Sequence, residues 1–224
     1  MQTESTHQPP SSSSRWARIG ALLYDPFLWV AELAGMRRGR RALLAQASGR
    51  VLEIGAGTGL NLAHYLDDEI DELVLAEPEP AMRERLTRRI RRCGSHAAVV
   101  DAPAEALPFA DESFDTVVCT LVLCTVNAPD RALSEIGRVL RPDGRLLFIE
   151  HVRADSPTLA YLQDRLLEPW RRFASGCRCN RATVELMRAC GFHVDARQSP
   201  WHAMPPIVRP LVSGRATCEA VIRG

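Results

Sequence analysis

Short apolar runs recur along the chain, and most are followed by a segment whose apolar positions fall every third or fourth residue. Aliphatic and β-branched runs of that length read as buried strands, and the wider spacing reads as helices packed by one face. Strands are predicted at Val51-Leu52-Glu53-Ile54, Leu73-Val74-Leu75-Ala76, residues 97–100, Phe114-Asp115-Thr116-Val117-Val118-Cys119, and residues 145–152, 192–197 and 216–222. Helices are predicted from the glycines after Ile54 to about residue 66, then over residues 80–92, 129–140, 156–174 and 181–190. Pro80 stands in a first turn, where its missing N–H costs little. Arg141-Pro142-Asp143-Gly144 has the composition of a turn. Strands alternating with helices make an α/β protein with a parallel sheet covered on both faces.

Upstream of this pattern, residues 1–14 are polar, with Pro9-Pro10 and four consecutive serines, and are expected to be a disordered tail. That tail has neither the basic nor the apolar region of a signal peptide. Residues 15–48 carry a helical pattern and are expected to form a cap on the domain at 49–224. Residues 20–36 are rather apolar, but Asp25-Pro26 and Glu32 interrupt them. A span of roughly 20 uninterrupted apolar residues is needed to cross a bilayer, so a transmembrane helix is rejected. Arg37, Arg38, Arg40 and Arg41 follow. They read as the solvated basic end of a packed helix, or as a weak peripheral contact with an anionic membrane.

The formal net charge is +1, so charge balance implies no nucleic-acid partner. The basic residues are all arginine; without lysine, Schiff-base and lysine-base chemistry are excluded. Arginine in place of lysine also suits a GC-rich bacterial source. Seven cysteines, an odd number without Cys-x-x-Cys spacing, indicate neither a disulfide framework nor a metal site, and fit a reducing cytoplasm.

The candidate chemistry starts at Gly55-Ala56-Gly57-Thr58-Gly59, between the first strand and the segment after it. A dinucleotide fingerprint needs Gly-x-Gly-x-x-Gly, but position 60 is Leu. The Gly-x-Gly-x-Gly spacing favours S-adenosylmethionine over NAD. Gly55 permits the turn, Gly57 lets backbone approach a ligand, and Gly59 permits close packing. A helix starting there would offer N–H groups to the methionyl carboxylate. Glu77, 22 positions after Gly55 at the end of the second strand, can accept hydrogen bonds from both ribose hydroxyls. His151 follows the fifth strand. It is either a general base or a hydrogen-bonded histidine holding the strand to the next loop.

Residues 51–59, Glu77-Pro78, Ala104-Glu105-Ala106-Leu107-Pro108-Phe109, Phe114-Asp115 and Leu140-Arg141-Pro142-Asp143-Gly144 together resemble the class I S-adenosylmethionine-dependent methyltransferases of the type 11 group. The resemblance covers about residues 45–152. It implies a Rossmann-like fold: a seven-stranded, mostly parallel sheet with helices on both faces, closed by a hairpin that carries one antiparallel strand. It also implies a set of cofactor contacts: Glu53, Gly55, Ala56, Gly57, Gly59, Asn61, Glu77, Pro78, Met82, Ala104, Glu105, Thr120 and Leu121. Relatives often carry Gly-Asp-Ala-Glu at the adenine; here Ala102-Pro103-Ala104-Glu105 lacks the Asp, leaving Asp101 or local backbone to hold the ring. Tyr24, in the cap, is expected to contact cofactor or substrate.

A narrower likeness extends further along the chain. Cys119-Thr120-Leu121-Val122-Leu123-Cys124-Thr125-Val126, Glu150-His151-Val152, Gln163, Leu167, Pro169-Trp170, Gly176-Cys177, Arg181, Val208-Arg209-Pro210 and Gly214 are similar to the methyltransferase-like thiol S-methyltransferases. That implies a small, fairly apolar thiol as methyl acceptor. The bacterial phospholipid N-methyltransferases share the core motifs, so a phospholipid or other small amine or hydroxyl compound is the second reading; a cofactor-binding protein without turnover is the third. Methyl transfer from a sulfonium needs no metal, only alignment and exclusion of water. Cys119 and Cys124 read as small buried hydrophobes, and Trp170 and Trp201 as walls of an apolar pocket or core.

Overall fold

A computed structural model describes residues 35–174 and 176–218. The expected tail, the cap upstream of residue 35, Tyr24 and the end of the last strand lie outside the described residues. The cap contributes α1 (Arg37–Leu44). Then come β1 (Gly49–Ile54), β2 (Ile70–Ala76), α2 (Pro80–Cys93), β3 (Ala98–Val100), β4 (Phe114–Thr120), α3 (Pro129–Val139) and β5 (Leu140–His151). α4 (Pro157–Arg165), α5 (Leu167–Phe173), α6 (Thr183–Ala189), β6 (Phe192–Gln198) and β7 (Leu211–Cys218) complete the order.

The seven strands form one sheet in the order β3-β2-β1-β4-β5-β7-β6. β7 runs antiparallel to both of its neighbours, and the other pairings are parallel. Strand side chains alternate between faces, and two cores follow from that. Leu52, Ile54, Val117, Cys119, Leu146 and Phe148 face α3, whose Ala132, Leu133, Ile136 and Val139 repeat at helical spacing. Val51, Val118, Leu147 and Ile149 face the opposite way, against Leu43 and Leu44 of α1. Chain order reverses between β1 and β4, and the carboxyl ends of such strands are where open α/β sheets bind ligands.

Three expected elements differ from those observed. No α-helix follows the glycines; residues 55–69 hold turns and two short 3-10 segments, Leu62–His64 and Asp67–Glu69. Gly57 (φ +56°) and Gly59 (φ +81°) lie outside the right-handed helical region. The bonds that do form reach back three residues, from Gly59 N–H to Ala56 O and from His64 N–H to Asn61 O. The expected helix N-terminus for a carboxylate is therefore replaced by single loop N–H groups. The helix expected over 156–174 breaks at Leu166, because Pro169 offers no N–H and its ring crowds the carbonyl of Arg165. The final strand starts at Leu211, five residues early, where Leu211 and Val212 are buried against β5 (His151↔Leu211, Glu150↔Val212). Residues 141–144 do turn, as an outward loop within β5: Leu140 pairs with Phe114 and Arg145 with Thr116.

Gly214 pairs with Ala196 of β6, and a Cβ there would sit 2.2 Å from the Asp195 carbonyl oxygen. Gly214→Ala is expected to cost about 2 kcal/mol or more by forcing the hairpin apart. Urea denaturation midpoints of the two proteins, compared at equal slope, check this.

Candidate functional site

The carboxyl ends of β1, β2, β4 and β5 converge on the glycine loop. Gly55 has φ +62°, and a Cβ on it would lie 2.7 Å from a Val122 methyl; one on Gly59 would meet Leu86 and Leu62 at 2.7 and 2.8 Å. Those two glycines are required by packing. A Cβ on Gly57 would find only the Gly55 carbonyl, at 3.9 Å, so the middle glycine faces open space. Ala56 is held in place by its N–H to the Ala76 carbonyl, 3.1 Å.

Glu77, just after β2, is 6% exposed. Its Oε2 accepts from Gly57 N–H at 2.8 Å and its Oε1 from Glu79 N–H at 2.9 Å. Each oxygen keeps a second lone pair. Burial raises its pKa, against the lowering effect of the two N–H donors. Arg83 of α2 supports the same turn by donating to the carbonyls of Glu77 and Pro78 and, through both Nη atoms, to Asp101 at 2.9 and 2.7 Å. Asp101 is thus an ion-pair partner of Arg83. Pro78 is exposed and Met82 half-buried in the first turn of α2.

Glu53, Asn61 and Thr120 form a buried polar knot beneath the loop. Asn61 donates to Glu53 at 2.9 Å and to Thr120 at 3.0 Å, and Tyr65 donates to the other Glu53 oxygen at 2.6 Å. Burial lifts Glu53 to a pKa of about 7, opposed by the bonds from Tyr65 and Asn61 and by the Arg40 charge. Each carboxylate oxygen accepts a donor within the protein and the residue is 2% exposed, so it shapes the loop from beneath. Ala104 lies in the core, and Glu105 accepts from Asn127 and Ala128 N–H at 3.2 and 3.4 Å, at the start of α3. The Glu105 side chain thus caps backbone donors, which leaves the backbone of Ala104 and Glu105 as the expected adenine contact.

The loop after β4 is gripped from two sides. Leu121 adopts φ +61°, a left-handed conformation that side chains other than glycine rarely take. Glu150, fully buried in β5, accepts from Val122 and Leu123 N–H at 2.9 Å each and from Cys124 N–H at 3.0 Å. Arg181 donates to the carbonyls of Leu123 and Val126. Burial raises Glu150 to a pKa of about 7, partly offset by the N–H donors. Glu150 and Arg181 appear in the sequence as parts of a pattern without a role. The one local signal was a charge at the end of a strand otherwise buried on both faces. Cys124 of this loop has its sulfur 3.8 Å from that of Cys177, between α5 and α6, and the hydrogen bond between them, with burial, pushes the Cys124 thiol well above its usual range.

His151 is buried at the end of β5, its ring stacked on Trp201 with centroids 6.1 Å apart. Its Nδ1 is buried with no partner among the described residues. Burial lowers its pKa to about 4, against the smaller opposing pull of the Pro210 and Val208 carbonyls. Burial therefore favours the neutral ring. Trp201, Met204, Ile207, Cys177 and Trp170 surround this region as an apolar cluster.

Residues 52–148 match the family described as "Methyltransferase domain". Human thiol S-methyltransferase TMT1B is 35% identical over 182 residues, which span 77% of this chain and 73% of that protein. The chain belongs to the class I S-adenosylmethionine-dependent methyltransferases. Its cofactor is S-adenosylmethionine. Phosphatidylethanolamine N-methyltransferase of Cereibacter sphaeroides is 32% identical over 157 residues, 69% of this chain and 73% of that one. Among solved structures, a Thermotoga maritima S-adenosylmethionine-dependent methyltransferase, described as a possible histamine N-methyltransferase, superposes with a TM-score of 0.66 at 26% identity. That superposition covers 90% of this chain and 97% of the other. The methyltransferase site fits its cofactor: an open side at Gly57 and an acidic residue with spare lone pairs stand next to each other at the switch point.

Glu150→Gln replaces an acceptor oxygen with an amide that faces a backbone N–H. It is expected to lower stability by about 1–3 kcal/mol and to loosen the 121–126 loop. Thermal melts, with amide exchange across that loop, check both effects.

Proposed function

We propose that this methyltransferase transfers a methyl group to a small, apolar thiol. The observation that carries the reading is the 35% identity to a thiol S-methyltransferase over three quarters of the chain. S-adenosylmethionine supplies a sulfonium methyl group open to in-line displacement. The Gly57 edge of the loop would hold the methionyl part of the cofactor, and the spare lone pairs of Glu77 would accept from its ribose hydroxyls. The backbone of Leu121, just after β4, would line the cofactor on the side away from Glu77. The cluster of Trp170, Trp201, Met204 and Cys177 forms the apolar wall on the acceptor side and excludes water.

Acid–base arithmetic supports sulfur over nitrogen. At pH 7.4 about 7% of a thiol with a pKa near 8.5 is already thiolate, whereas only about 0.1% of an amine with a pKa near 10.4 is neutral. His151, with a pKa of about 4, would take a proton from such a thiol only at a cost of roughly 6 kcal/mol. The acceptor therefore ionises to solvent before it is methylated, and His151 serves as part of the pocket wall. N-methylation of an ethanolamine head group is the second reading, favoured by the 32% identity to the phosphatidylethanolamine enzyme.

Turnover with alkyl and aryl thiols, with phosphatidylethanolamine vesicles, and without acceptor is followed by release of S-adenosylhomocysteine. Thiols alone are expected to respond, with kcat/KM rising about tenfold per pH unit below the thiol pKa and then levelling. His151→Phe should leave that profile in place; a second inflection between pH 5 and 8 that the variant abolishes would restore the base. Turnover with vesicles alone selects the second reading, and silence throughout alongside tight cofactor binding selects a binding protein. Glu77→Ala should weaken cofactor binding at least tenfold by calorimetry, about 1.4 kcal/mol.

A further inference from the structure

α1 presents Arg37, Arg38 and Arg41 to solvent, yet Arg40 is 4% exposed. The cause is spacing: Met36, Arg40, Leu43, Leu44 and Ala47 fall on one helical face, and that face packs on the sheet. A buried guanidinium is costly unless bonded. Nη1 of Arg40 donates to Asn61 Oδ1 at 2.8 Å and to Thr120 Oγ1 at 2.9 Å. Asn61 closes the glycine loop, and Thr120 is the last residue of β4. The Asn61 amide nitrogen joins both to Glu53, which is anchored in turn by Tyr65. One side chain from the cap thus reaches both the glycine loop after β1 and the end of β4, between which the ligand site opens.

We propose that Arg40 is a positioning residue that ties docking of α1 to the conformation of the cofactor loop, so that S-adenosylmethionine and the cap bind the domain cooperatively. The proposal rests on the placement of the methyl donor at the glycine loop given above. Arg40 fixes the Asn61 amide and the Thr120 hydroxyl; with α1 undocked, Asn61 loses the donor to its Oδ1 and the loop loses one of its anchors. Coupling of this kind is reciprocal: what the docked helix adds to cofactor affinity, the cofactor adds to helix docking.

The test uses the full chain and S-adenosylhomocysteine, with binding measured by calorimetry and α1 followed by amide hydrogen exchange. In the wild type the ligand is expected to slow exchange over residues 37–45 by fivefold or more. Arg40→Met should bind at least tenfold more weakly and lose that response. Arg40→Lys, whose ammonium can offer protons to both oxygens, should recover much of the affinity, which a purely apolar packing role would not require. Ligand binding without slower exchange in α1, or an Arg40→Met that binds and protects like the wild type, overturns the coupling. Absence of binding by the wild type overturns the placement of the donor as well. The wild-type exchange measurement decides the matter even if Arg40→Met fails to fold.

Discussion

The buried carboxylate of Glu150 is the constraint on which the loop after β4 depends. At the end of a strand covered on both faces there is no water to solvate it, and it gathers Val122, Leu123 and Cys124 N–H instead. Arg181 takes carbonyls of the same loop, so donors and acceptors of one short segment are satisfied by opposite charges from elements distant in sequence. Leu121 keeps its left-handed backbone because its N–H is bound to the Ile149 carbonyl on one side and its successors are held on the other. Backbone strain of that kind costs of order 1–3 kcal/mol and persists only where the surroundings over-determine it.

The donor side is built on the same principle with different groups. Glu77 holds the glycine loop through Gly57 N–H while Arg83 holds the turn that carries Glu77. Two acidic side chains, Glu53 and Glu77, therefore stand at the switch point, and the charge of Glu77 raises the pKa of Glu53 slightly beyond what burial does. The polar knot of Arg40, Asn61, Thr120, Glu53 and Tyr65 offsets that repulsion by surrounding Glu53 with donors. The sheet supplies rigid strand ends, and the polar groups convert them into a shaped loop.

The sheet, its parallel sense and the loop at residues 55–59 were legible because strand burial leaves uninterrupted aliphatic runs and positive φ selects glycine. The helix expected after those glycines was misread for a reason visible in the same residues. Gly57 and Gly59 break the helical backbone, and the apolar spacing of Leu60, Leu62 and Tyr65 reflects packing of 3-10 turns. Pro169 carried a readable break that the helical pattern around it masked. Arg40 was grouped with its basic neighbours, although its place on the face of Leu43 and Leu44 distinguished it. The burial of His151 depends on Trp201, fifty positions on, and no local pattern encodes a contact made by a later loop. The side-chain partners of Glu105, the Asn127 and Ala128 N–H groups, become neighbours only after the chain folds.

The lone antiparallel strand also sets an order in time. β6 pairs only with β7, and β7 is synthesised after it yet inserts between β6 and β5. While the chain is still being made, the β1–β5 sheet can assemble with its β5 edge uncovered, and residues 192–198 have no strand to join. An uncovered edge with Leu146, Leu147, Phe148 and Ile149 is a template for wrong pairing. The hairpin that completes the sheet is thus also what ends the nascent chain's exposure to aggregation.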